Sequence, residues 1–178
     1  MTGYGRSLWL SNLAVAFYLL CNTVSANQLT AYSIGLGSYV LRIDDDSRSE
    51  TEKLNGFAVF GTRVLDDLYA IRFGWYSLDH ETQPNIHASG YDLQLLVGGG
   101  LNKSGFKFYG GPGIFWEKWS STLGRKDRNG LQLILGIGYY WDRIALDAWA
   151  ASRDERDYVE LGSNVFPYST SLMLSFKL

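Results

Sequence analysis

The segment Tyr168–Leu178 alternates residue by residue. One face reads Tyr168, Thr170, Leu172, Leu174, Phe176 and Leu178, and the other Ser169, Ser171, Met173, Ser175 and Lys177. A period of two belongs to a β-strand with one apolar and one polar face. Alone, the segment fits any half-buried strand, but the pattern recurs along the chain. Eight segments carry it: Leu29 to Ile43, Leu54 to Val64, Leu68 to Leu78, Gly90 to Leu101, Gly105 to Glu117, Gly130 to Trp141, Arg143 to Arg153, and Tyr168 to Leu178. Each is close to the ~9–11 residues that cross a bilayer obliquely. The sixth is the clearest, with Leu131, Leu133, Leu135, Ile137, Tyr139 and Trp141 on one face. The second is the weakest, because Phe57 and Val59 leave both of its faces partly apolar.

The connections alternate too. Asp44 to Lys53, Asp79 to Ser89, Lys118 to Asn129 and Asp154 to Pro167 are long. Leu65-Asp66-Asp67, Asn102-Lys103-Ser104 and Asp142 are short. An up-and-down membrane barrel segregates loop lengths this way, with short turns and both termini at one end, whereas a soluble barrel has no reason to. Aromatic placement agrees. Tyr32, Tyr69, Tyr139, Trp141 and Phe176 fall near the short turns, and Trp75, Tyr91, Trp116, Trp119 and Tyr168 near the long loops. Amphipathic rings settle at headgroup level, so two belts are expected.

The N-terminus reads as a secretory signal. Arg6 supplies the positive region, Leu8 to Leu20 the apolar run, and Val24-Ser25-Ala26 the small residues before a cleavage site. Residues 1–26 are therefore expected to be removed, leaving 27–178 as one barrel domain. Cys21 is the single cysteine, but Leu20 and Tyr18 do not make a lipid-attachment box, and the mature chain is left without thiol chemistry. Arg6 is the one charge in the signal, so its loss takes the formal charge from −2 to −3, which leaves no nucleic-acid footprint.

The whole mature chain resembles the small eight-stranded outer-membrane barrels typified by the OmpA transmembrane domain and OmpX. The resemblance rests on the strand ladder, the loop alternation and the terminal strand ending in Phe176 and Leu178. It implies an all-β, antiparallel, up-and-down barrel in the outer membrane of a Gram-negative bacterium, with periplasmic termini and extracellular long loops. It also implies assembly machinery that reads the C-terminal strand. Such barrels usually end in Phe, and Leu178 departs from that.

With the apolar faces toward lipid, Arg63, Arg72, Asp92, Lys107, Glu117, Arg143 and Asp147 point inward. Unpaired charges in a narrow lumen are costly, so these should form a paired network, with Tyr109, Phe115, Tyr140, Trp149 and Met173 adding bulk. The glycines near them relieve crowding, and Gly98-Gly99-Gly100 opens no helix and is not a phosphate loop.

Outside, Lys118, Arg125, Lys126 and Arg128 make the third long loop basic, flanked by Trp116 and Trp119. Cations beside interfacial aromatics suit lipopolysaccharide phosphates. The fourth loop turns apolar at Val165-Phe166-Pro167, which suits an external protein or host surface. His80 and His87 sit in the second long loop with Asp79 and Ser89, and match no metal-binding signature. With no strand carrying a histidine, a lipid-modifying enzyme ranks third. A narrow pore lined by Arg63, Arg72, Lys107 and Arg143 ranks second. A non-enzymatic structural or surface-interaction role, without cofactor or metal, ranks first.

Overall fold

The computed structural model describes residues 31–45, 50–122, 124–158, 161 and 165–178. The expected signal segment, residues 1–26, lies outside them. Eight strands follow in order: β1 (Tyr32–Asp45), β2 (Glu50–Val64), β3 (Tyr69–His80), β4 (His87–Gly99), β5 (Gly105–Ser121), β6 (Gly124–Tyr140), β7 (Ile144–Arg153) and β8 (Val165–Lys177). Each pairs antiparallel with its neighbours, and β8 returns to β1 to close the barrel. Closure removes the sheet edges that would otherwise present unpaired backbone groups to lipid.

Burial alternates along the strands. On β8, Ser169, Ser171, Met173 and Ser175 are buried while Leu172, Leu174 and Phe176 are exposed. On β6, Leu131, Leu133 and Leu135 point out, Leu135 at 69% exposure, and Gln132 and Ile134 point in. This is the inverse of a soluble sheet: the apolar residues are outside and much of the polar material is inside. An outer surface of this kind is stable only against hydrocarbon.

The short connections lie at one end, as expected. Asp66 closes the β2–β3 turn by accepting the N–H groups of Leu68 (2.7 Å) and Tyr69 (2.8 Å) through Oδ1. Gly100 takes φ +67° in the β4–β5 turn, a region that suits glycine. Leu178 joins the same end, its N–H donating to the Tyr32 carbonyl at 2.8 Å.

The long connections are shorter than their composition suggests. β1 and β2 stay paired out to Asp45↔Glu50, and β5 and β6 out to Ser121↔Gly124. The third loop is thus a two-stranded ribbon. Cross-strand polar pairs hold such extensions, as where the Thr51 hydroxyl donates to Asp44 at 2.9 Å. A polar, charged run reads as a loop in sequence because its apolar alternation has ended, although its backbone ladder has not. The fourth connection keeps a 3₁₀ turn at Glu155–Asp157. Its cap Asp154 is bonded through its side chain by Arg156, which holds the Asp154 carboxyl down to about 2.

Candidate functional site

Interior side chains form two polar constellations. The larger centres on Arg153, the last residue of β7, which follows Ala145, Asp147, Trp149 and Ala151 on the inward face and is 4% exposed. Its Nη1 donates to Glu117 Oε2 at 2.9 Å and to the Tyr158 hydroxyl at 3.1 Å. Its Nη2 donates to the Tyr39 hydroxyl at 2.6 Å and the Tyr76 hydroxyl at 3.1 Å, and lies 3.6 Å from Asp92 Oδ1.

The tyrosines pass the charge on. Tyr39 donates to Asp92 at 2.8 Å, and Tyr76 to Glu117 at 2.8 Å. Their rings stack 4.4 Å apart, and the Arg153 guanidinium lies 4.4 Å from the Phe115 ring centroid. Tyr158, in the fourth connection, roofs the cluster by donating to Glu117 at 3.2 Å, and burial pushes its hydroxyl pKa up.

The smaller constellation lies toward the short turns. Arg72 approaches Asp147 at 3.6 Å, donates to Thr62 at 3.3 Å and meets the Tyr109 hydroxyl at 3.3 Å, while Tyr109 donates to Asp147 at 3.0 Å. The Tyr109 ring lies against Gly136, where a Cβ would come within 2.3 Å of ring carbon. Below it, Lys107 donates to the Leu101 carbonyl at 2.5 Å and sits 2.9 Å over the Tyr140 ring. Five of the seven expected lumen residues therefore lie inside: Arg72, Asp92, Lys107, Glu117 and Asp147.

Arg63 and Arg143 do not. The inward residues of β2 are Leu54, Ala58, Phe60, Thr62 and Val64, so Arg63 falls on the outer face, its guanidinium over Tyr32. Apolar residues on both faces of β2 conceal this parity in the sequence. Arg143 precedes β7 and is exposed in the turn. The partner of Asp92 and Glu117 is Arg153, which reading β7's parity one step further would have found.

Two residues assigned to the outside also move. Arg128 is buried, its guanidinium 5.1 Å from the Trp119 ring and 4.9 Å from the Tyr158 ring. Trp119 shares the inward parity of Phe115 and Glu117, and its indole N–H donates to Glu117, so it is not a belt residue. Lys118, Arg125 and Lys126 remain exposed on the β5–β6 ribbon. Tyr69, Trp116, Trp141 and Phe176 are exposed on the outer wall, and Trp75 and Tyr139 lie half-buried there.

The histidines stand on strands rather than in a loop. His80 ends β3 and is buried. Its Nδ1 accepts the N–H groups of Thr82 (3.2 Å) and Gln83 (3.0 Å), and its Nε2 meets Glu52. His87 begins β4 on the outer face, paired in register with Asp79, whose Oδ1 lies 2.5 Å from His87 Nδ1.

No family model and no curated protein matches the chain. Solved structures do. The attachment invasion locus protein Ail of Yersinia pestis is 16% identical, with TM-score 0.59 over 85% of this chain and 100% of that one. Neisserial surface protein A is 15% identical, with TM-score 0.63 over 83% of this chain and 99% of that one. This chain has the fold of the small eight-stranded outer-membrane barrels. The N-terminal barrel domain of Pseudomonas aeruginosa OprF shares it too, at 15% identity and TM-score 0.57, over 82% of this chain and 97% of that one. At such identities the likeness is one of fold, and side-chain chemistry must be read from this chain itself.

Proposed function

We propose that the chain is exported by its N-terminal signal and sits in the outer membrane as a non-enzymatic surface-interaction barrel. In this reading the short turns and Leu178 face the periplasm, and the assembly machinery engages β8. The basic β5–β6 ribbon contacts lipopolysaccharide or an external polyanion. The observation that carries the reading is a division of charge. Buried charges are drawn into the Arg153 and Arg72 constellations, while Lys118, Arg125 and Lys126 are exposed at the surface of the ribbon. β5 runs five residues past Trp116 to Ser121, roughly 17 Å of strand at ~3.3 Å per residue, so the ribbon stands clear of the headgroup-level aromatics. Asp127 shares the ribbon and limits its net positive charge. One crystal form of Ail contains the heparin analogue sucrose octasulfate, a polyanion of the class a basic ribbon recognises.

Changing Lys118, Arg125 and Lys126 together to Gln tests this. A cation near an anionic surface contributes about 1 kcal/mol, so the triple variant should bind lipopolysaccharide on the order of 100-fold more weakly. Arg128 is left intact because it is part of the packed interior. Unchanged retention of lipopolysaccharide and of heparin by the folded variant would remove the reading.

A further inference from the structure

The apolar band on the outer wall is not equally tall around the barrel. On β5 the outward residues run from Phe106 to Trp116, ten residue steps. On β6 and the turn that follows they run from Leu131 to Trp141, ten again. Strands tilted by ~40° climb ~2.5 Å per residue, so these two faces cover the ~25 Å expected of an outer-membrane barrel. On β3 the outward residues Tyr69, Ile71, Phe73 and Trp75 span six steps before Ser77 and Asp79, or ~15 Å. On β2 only Phe57, Val59 and Gly61 stand between Asn55 and Arg63.

Both ends of the short stretch are polar. Arg63 lies over the Tyr32 ring at the short-turn end. The turn beyond it carries Asp66 and Asp67 between Leu65 and Leu68, and Asp67 pairs with Lys103 at 2.7 Å on the exposed surface, so the turn stands in water. Interfacial rings repeat the measure. Tyr69 and Trp75 are the amphipathic rings of the β3 outer face, and such rings settle at headgroup level, which sets the two levels six steps apart there. Packing holds the upper ring in place: Trp75 meets Phe57 edge-on, with centroids 5.6 Å apart.

We propose that the barrel thins the membrane beside β2 and β3, where headgroups and water close in on the short stretch, while β5 and β6 hold it at full thickness. The thinning rests on the outer-membrane position proposed above and gives the surrounding lipid a shape. Rigid tilting of the barrel cannot supply the match, because it moves the upper and lower boundaries of one strand together. The bilayer adjusts instead, since compressing acyl chains beside a short apolar face has a modest cost per ångström. A bilayer of even thickness would leave Asn55, Ser77 and the Arg63 guanidinium in hydrocarbon, where polar groups are expensive. A second copy docked there would strip water from the same groups, so lipid of reduced thickness is the occupant. Along this patch the headgroups of the two leaflets come nearest to one another.

Single nitroxide labels test this, because Cys21 is the one native cysteine and the barrel, residues 27–178, carries none. Ser77→Cys and Leu131→Cys make a matched pair, each eight steps from the tyrosine nearest the short turns on its own strand, Tyr69 and Tyr139. Phe73→Cys and Leu135→Cys are mid-wall controls, each four steps from the same rings. The labelled barrels are refolded into vesicles of phosphatidylethanolamine and phosphatidylglycerol, and heat-dependent gel mobility confirms the fold. Power-saturation EPR then reads collisions with oxygen and with a water-soluble nickel chelate. The Phe73 and Leu135 labels should favour oxygen, and the Ser77 label should meet nickel several-fold more often than the Leu131 label. Equal, oxygen-rich signals at Ser77 and Leu131 overturn the thinning and leave the outer-membrane reading intact. Nickel access at Phe73 and Leu135 alike overturns both. A Phe73 label shielded from oxygen and nickel together means that a second copy covers the patch, and it overturns the thinning too.

Discussion

Two ion-pair systems in this barrel differ mainly in what surrounds them. Arg153 sits inside, bonded by groups from β1, β3, β5 and the fourth connection, all shielded from solvent. Asp79 and His87 face each other on the outer wall, open to whatever lies alongside. Inside, removing one partner strands charge in a low-dielectric space, so the interior acts as a structural unit. Outside, solvent screening makes the same kind of contact nearly irrelevant to stability. What it retains is an oriented imidazole. Burial turns charge into architecture, and exposure leaves a contact that adds little to it.

The largest effect that would break this contrast belongs to Arg153. Arg153→Ala should destabilise the barrel by about 3–5 kcal/mol, because Glu117 and Asp92 lose their cation in a closed space. Urea unfolding of the refolded protein in micelles, followed by tryptophan fluorescence, measures it. A loss under ~1 kcal/mol would mean that the cluster is hydrated and the interior far looser than its geometry. At the other end of the scale, Asp79→Asn should shift the same unfolding curve by no more than about 1 kcal/mol, the range of an exposed pair. A larger shift would make Asp79–His87 a structural clasp and narrow the contrast between the two pairs.

Much of this architecture was legible in the chain. Strict alternation in β6 and β8 set both faces, because leucine and aromatic side chains on one side and serine, glycine and glutamine on the other leave a single solution. Strand ends were not legible where ribbons are polar. The β5–β6 extension carries Lys118, Arg125, Lys126 and Asp127, which look like a solvated loop because hydrogen bonding between backbones leaves no mark on side-chain polarity.

Parity failed at Arg63 for a related reason. Phe57 and Val59 face lipid, yet Ala58 and Phe60 also need an apolar setting, since Phe60 packs edge-on against Trp149. Arg153 stood in plain sight on the inward face of β7, and only its many tyrosine partners, distant in sequence, reveal its part. The pairing of Asp79 with His87 depends on the β3–β4 register. A tight hairpin across 81–86 sets that register, and sequence spacing alone left it open.

The central claim is that the interior is occupied by its own side chains and that function lies on the outside. Single-channel recording of the folded barrel in a planar bilayer tests this most directly. The account predicts a silent barrel, with the conductance of the bare membrane in both wild-type and Arg72→Gln protein. Steady single-channel steps whose amplitude or ion selectivity changes when Arg72 is neutralised would contradict it and give the lumen a conducting role.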